Sequence, residues 1–151
     1  FDSGFGFVVL MFTSILLTDI GCYYIGTKFG KHKLAPVISP NKTIEGSMGG
    51  AFFAVIGAVI VGQFFSLEWY LAVLAGLLCT AFAQIGDLSE SLIKRDAGVK
   101  DSGHSLPGHG GFLDRTDSFV FTIPMMYYFC YYFIFSNNLL TDIIRYVRGL
   151  F

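Results

Sequence analysis

Four long apolar stretches decide what this chain can fold into. They cover residues 5–24, 46–65, 69–85 and 118–135, and the third continues with mixed polarity to residue 93. Each is near the ~20 residues that a helix needs to cross a hydrocarbon core. Lipid offers no hydrogen-bond partner to an open sheet edge, so strands are discounted for these stretches. Composition agrees: 54% of residues are hydrophobic and 14% charged, against about a quarter charged in a typical soluble domain. The expected fold class is all-α, a polytopic helical membrane protein with about four transmembrane helices in this chain and two polar cytoplasmic loops. Small residues in the second stretch, among them Gly49, Gly50, Ala54 and Gly57, fit close helix contact and ordinary membrane-helix composition equally well.

Basic residues orient the spans. Lys28, Lys31, Lys33 and Lys42 lie between the first and second stretches. Lys94, Arg95, Lys100 and Arg115 lie between the third and fourth, while the link at 66–68 has no Lys or Arg. With four spans the two basic loops share a side, and the positive-inside rule makes that side cytoplasmic. Arg145 and Arg148 fall in a tail, residues 140–151, that reads as an interfacial amphipathic helix. A net charge of −1 gives no electrostatic case for a nucleic-acid partner. Cys22, Cys79 and Cys130 sit in apolar runs without metal-ligand spacing, which reads as reduced, buried small hydrophobes. No charged leader with a cleavage site precedes the first stretch in this sequence, so a membrane span is expected there and not a signal peptide. The organisation expected is one membrane-embedded catalytic domain over residues 1–151, the C-terminal portion of a longer protein.

The chemistry is concentrated at the cytoplasmic ends. Asp87 lies near the end of the third span, where an ionisable residue at membrane depth marks a functional site by default. On a helix Asp87, Glu90, Ser91 and Lys94 share one face, expected to point to a polar cavity; the plainer reading is a helix-end acid paired with Lys94. Next comes Pro107-Gly108-His109-Gly110-Gly111. Its glycines allow consecutive amides to turn inward as an anion nest, and it leads into a helix N-terminus, which favours phosphate. His109 is expected to donate to a phosphate oxygen or to assist proton transfer, although a lone His in a glycine turn also reads as structural. Asp114-Arg115-Thr116-Asp117 follows. Two carboxylates three residues apart share a face of the first helical turn. They suit Mg²⁺, which takes one or two carboxylates plus substrate phosphates, and Arg115 brings a planar fork for phosphate. Acid enrichment in a first helical turn explains the same pair without a metal. The first loop adds Ser39, Lys42 and Glu45, with Glu45 expected to cap the second span and Lys42 to meet a phosphate or lipid head group. Asp19, an acid within an apolar run, is expected to face the same cavity.

Ser91, Lys94, Arg95, Lys100, Asp101, Gly103, the run Pro107 to Gly111, Asp114-Arg115 and Asp117 together resemble the signature of the phosphatidate cytidylyltransferases (CDP-diacylglycerol synthases). Ser39-Pro40, Lys42-Thr43 and Glu45-Gly46 resemble a second block of that family, and residues 94–103 look like its bacterial branch. The resemblance covers about residues 19–117. It implies a helical enzyme of the cytoplasmic (inner) membrane, often a homodimer, whose active site faces the cytoplasm. It implies Mg²⁺-dependent transfer of CMP from CTP to phosphatidate with release of pyrophosphate, and it maps the metal ligands onto Asp87, Asp114 and Asp117.

Two polyanions must meet in such a site, and their repulsion grows as the dielectric falls. Lys94, Arg95, Lys100 and Arg115, together with Mg²⁺ and room for a second cation such as K⁺, are expected to supply the compensation. Catalytic roles fall to Asp87, Asp114, Asp117, Arg115 and Lys94. Substrate-binding roles fall to Ser39, Lys42, Arg95, Lys100, Asp101, Gly108, His109, Gly110 and Gly111. The rival readings are a CTP-dependent kinase of a lipid alcohol such as a polyprenol, which releases CDP, and a transporter with intramembrane acids, for which the nest and the Asp-Arg-x-Asp pattern have no use.

Overall fold

All four apolar stretches are helical. The computed structural model describes residues 4–99 and 113–135, with the backbone alone at 113–115 and 135. Helix α1 is Gly4–Phe29, α2 Ile44–Phe64, α3 Trp69–Asp96 and α4 Leu113–Phe129, and α4 continues as a π-helical segment, Cys130–Phe135. By length and composition α1, α2 and α3 can each cross a membrane. At 1.5 Å per residue α3, with 28 residues, is roughly 42 Å long against a hydrocarbon core of about 30 Å. The surplus holds the polar end of α3, from Glu90 to Asp96, past the apolar run.

The outward faces are as apolar as the interior. Phe5, Val8, Phe12, Leu16 and Ile20 project from α1, and Phe52, Ile56, Ile60 and Phe64 from α2. A helix apolar on every side belongs in lipid. Inside, Leu10 and Ile15 of α1 pack with Ala72, Ala75 and Cys79 of α3 and with Met125, Met126 and Phe129 of α4.

Helices α1 and α2 meet backbone to backbone. A Cβ on Gly21 would lie 2.8 Å from the Gly49 carbonyl oxygen and from the Gly50 Cα, and one on Gly50 would lie 2.7 Å from the Thr18 carbonyl oxygen. Of the two readings of the small residues in the second stretch, close helix contact is the one the structure takes. Lipid provides no hydrophobic drive between helices, so this van der Waals intimacy is what holds them together. Buried hydroxyls add polar links. Thr18 donates to the Ser14 carbonyl at 2.8 Å, so Thr80 of α3 donates to Thr18 across 3.0 Å. Removing that bond with Thr80→Val is expected to cost about 0.6 kcal/mol, as interhelical hydrogen bonds in membranes average, measured by denaturation in mixed micelles.

Two features depart from the expectation. Glu45 does not cap α2; Thr43 does, its Oγ1 accepting from the Gly46 amide at 3.2 Å. A Thr in extended conformation just before a helix is the ordinary cap. The Glu45 carboxylate instead reaches back to accept from the Lys31 and His32 amides, at 3.1 and 3.2 Å, and pairs with His32 Nδ1 at 2.6 Å. It thereby clasps the end of α1 to the start of α2. The second departure is a short antiparallel hairpin in the first polar loop, β1 (Lys33–Ala35) and β2 (Ser39–Thr43), with Lys33 opposite Thr43 and Ala35 opposite Ser39. The exclusion of strands holds for the apolar stretches, and this hairpin lies outside them.

The free cysteines agree with the sequence in part: Cys79 is fully buried, while Cys22 and Cys130 are only partly so.

Candidate active site

The ends of the helices gather at one end of the bundle: the C-terminal ends of α1 and α3 and the N-terminal ends of α2 and α4. Short-range contacts fix this. A Cβ on Gly86 of α3 would lie 2.5 Å from the carbonyl oxygen of Asp117 on α4. Ser47 of α2 donates its hydroxyl to the Gln84 side-chain oxygen on α3, and Gln84 Nε2 donates back to the Ser47 carbonyl at 3.4 Å. A cavity of about 300 Å³ opens among α1, the hairpin, α2 and α3, with Asp19, Ser39, Asn41, Lys42, Gln84 and Asp87 in its lining.

The centre of this cavity is an ion pair between Lys42 of β2 and Asp87 of α3. The two residues are 45 positions apart in sequence, and the hairpin is what carries Lys42 across to α3. Asp19 and Asp117 lie within Coulombic reach of Asp87 and of Lys42. Asp117 is half-buried, and its Oδ1 accepts from the Ser118 amide at 2.6 Å and the Ser118 hydroxyl at 3.3 Å. Three carboxylates against one ammonium leave two negative charges uncompensated among the described residues if all are ionised. Carboxylates crowded at a membrane edge demand a cation, and oxygen donors of this kind suit a hard divalent ion. The donor set therefore fits Mg²⁺ in chemistry. In position the carboxylates are not drawn to a common point: among the described residues no group of three or more His, Cys, Asp or Glu stands ready to hold one ion.

The structure brings together some of the expected residues and not others. Asp87, Lys42 and Ser39 line the cavity, and Asp117 stands beside it. Asp19, expected to face the cavity but not counted among the metal ligands, is in its lining. Of the face expected to carry Asp87, Glu90, Ser91 and Lys94 into the cavity, only Asp87 lines it. Lys94 pairs with the buried Glu90 at 2.8 Å one turn away, and helical geometry favours that i,i+4 partner. Arg95 directs Nε to the Ile38 carbonyl at 3.4 Å, tying the end of α3 to the hairpin's turn. Lys100, Asp101, Gly108, His109, Gly110 and Gly111 lie outside the described residues, as do the side chains of Asp114 and Arg115. Sequence reasoning passed over Ser47, Gln84 and Asn41. For Gln84 and Ser47 the signal was present, a polar side chain near the end of each of two apolar stretches. Nothing in the chain's order says that the two meet.

Known proteins resemble this chain in sequence. Proteins named phosphatidate cytidylyltransferase from Staphylococcus haemolyticus (strain JCSC1435) and Staphylococcus aureus (strain COL) are each 49% identical to this chain over 127 residues, and that from Staphylococcus epidermidis (strain RP62A) is 47% identical over the same length. The match covers 83% of this chain and 49% of each relative, so the chain spans about half the length of the curated relatives it matches. The sequence pattern of the Cytidylyltransferase family matches residues 1–133, and this chain belongs to that family.

Proposed function

We propose that this chain carries the active site of an enzyme that transfers CMP from CTP to phosphatidate, giving CDP-diacylglycerol and pyrophosphate. The observation that supports it most is the gathering of Asp19, Asp87, Asp117 and Lys42 around one cavity at the ends of membrane helices. A lipid phosphate and a soluble triphosphate have to meet at such a boundary. The basic loops support a cytoplasmic orientation of this end of the bundle at an inner membrane, where CTP is available. The family resemblance supports a homodimeric assembly.

The chain's own residues would divide the work as follows. Asp87, Asp117 and Asp114 would hold Mg²⁺, with a second cation such as K⁺ beside it and Asp19 as a further acid of the same hollow. When bound, the ion supplies charge neutralisation for the triphosphate and polarises its α-phosphorus. A phosphatidate oxygen, already ionised at neutral pH, attacks the α-phosphorus in line as the bond to the bridging β-phosphate oxygen breaks. The electron pair leaves with pyrophosphate, so no general base is required. Positioning and charge stabilisation then carry the rate, as in phosphoryl transfer generally. Lys42 and Ser39 would take the lipid phosphate, and Arg115 with residues 108–111 the leaving pyrophosphate. Lys94, Arg95, Lys100 and Asp101 would shape the surrounding field.

The test is direct. Full-length protein in detergent, given CTP, phosphatidate and Mg²⁺, is expected to yield a liponucleotide and one pyrophosphate per turnover. Release of CDP with a phosphorylated lipid alcohol would overturn the reading in favour of a kinase. Substrate flux across vesicles without nucleotide consumption would overturn it in favour of a carrier.

A further inference from the structure

Lys42 is bound in a way that a fixed phosphate ligand does not need. Its Nζ is buried and pairs with Asp87; apart from that ion contact it has no hydrogen-bond partner among the described residues. An ammonium carries three N–H donors, so most of its capacity is unused. A buried charge short of hydrogen-bond partners is expensive to keep, so an anion that enters the cavity and takes those donors is favoured. Asp19 and Asp117 interact with the Lys42 ammonium electrostatically, so among the described residues this one ammonium faces three carboxylates. It also rides on β2 of a two-stranded hairpin and not on a packed helix, and its side chain lines the cavity into which it would move.

We propose that Lys42 is a place-holding cation: its ammonium neutralises Asp87 until a divalent ion binds there, and the arriving ion displaces it into the cavity, where its freed donors take a substrate phosphate. This rests on the reading that Asp87 ligates a divalent cation. Two consequences distinguish it from a fixed phosphate ligand. Lys42 lowers the affinity of the empty protein for metal, because the two cations compete for one carboxylate. Lys42 also couples the sites, because metal binding makes the ammonium available to the phosphate. The exchange keeps the carboxylates from standing bare at the membrane edge between turnovers.

The experiment uses Mn²⁺ as the probe, with free Mn²⁺ read by electron paramagnetic resonance in full-length protein in detergent, without substrate. Lys42→Met keeps the apolar stem and removes the charge. It is expected to bind Mn²⁺ at least ~10-fold more tightly than the parent, in line with close ion pairs, whereas Lys42→Arg stays within about threefold. In an Asp87→Asn background the same Lys42→Met change is expected to alter affinity less than ~2-fold, because the contact through which it acts is gone. An unchanged or weaker affinity in Lys42→Met overturns the proposal, and so does an equal gain in the Asp87→Asn background, which would mark a general charge effect. A parent protein that binds no Mn²⁺, or binds it equally well with Asp87→Asn, overturns the metal reading and this proposal with it. If Lys42→Met fails to assemble, Lys42→Gln carries the same comparison.

Discussion

Full-length protein carrying Asp117→Asn is expected to lose at least ~10³-fold in turnover while inserting and folding like the parent. The asymmetry comes from what Asn keeps. Its side-chain oxygen still accepts from the Ser118 amide and hydroxyl, the two bonds that Asp117 makes at the start of α4, so the local helix geometry survives. What is lost is one negative charge in the group shared with Asp87, Asp19 and Lys42. Removing a group that stabilises charge in a water-poor site typically costs 10²–10³ in rate, and a metal ligand is at the upper end because the ion itself is weakened. Liponucleotide formation, measured beside thermal unfolding in the same detergent, checks both halves. Substantial Mg²⁺-dependent activity in the variant would remove Asp117 from the metal site. Asp114→Asn is expected to behave alike.

Gly86→Ala is expected to cost about two orders of magnitude in activity without touching a substrate-binding atom. The added methyl would lie 2.5 Å from the Asp117 carbonyl oxygen and 3.2 Å from its carbonyl carbon. Both belong to helix backbone, which cannot rotate aside, so α4 must back away from α3. That displacement moves Asp117 relative to Asp87. A misplacement of about 1 Å in a positioned site costs on the order of 10²-fold, and overpacking costs about 1–3 kcal/mol in stability. Gly62→Ala is the control. There the methyl would meet the Ala72 Cβ at 2.9 Å, near the turn between α2 and α3 and away from the acids. It is expected to lower stability while leaving turnover within about twofold. Equal loss of activity in both variants would mean that Gly86 matters only to the bundle.

The spans were legible because a run of about twenty apolar residues has few options in water or lipid. Their ends were less so. Helix α3 runs on to Asp96 through Glu90, Lys94 and Arg95, which favour helix, whereas α1 runs five residues past the apolar stretch to Phe29 through Ile-Gly-Thr-Lys-Phe, where local propensity gives no such signal. The hairpin was invisible: residues 33–43 read Lys-Leu-Ala-Pro-Val-Ile-Ser-Pro-Asn-Lys-Thr, with two prolines and no alternation. That omission hid the main feature of the cavity, because the hairpin delivers Lys42 to Asp87. Asp19 stood out as an acid in an apolar run, but nothing in local order names its neighbours. Lys94 takes Glu90 through i,i+4 spacing while Asp87 takes Lys42, so neither expectation, a shared face in the cavity nor Asp87 paired with Lys94, named the pairs that form.

The seam between α1 and α2 has a consequence for how such a protein can vary. Where two main chains touch, no side chain can absorb an insertion, so positions such as Gly21 and Gly50 tolerate nothing larger than hydrogen. A saturation screen for lost activity would score this seam as heavily as the acids, although it lies outside any reacting group. Change at the site therefore has to come from positions off this seam, Asp19 and Ser47 among them, and from α3, α4 and the hairpin, while the seam itself is an immovable plinth.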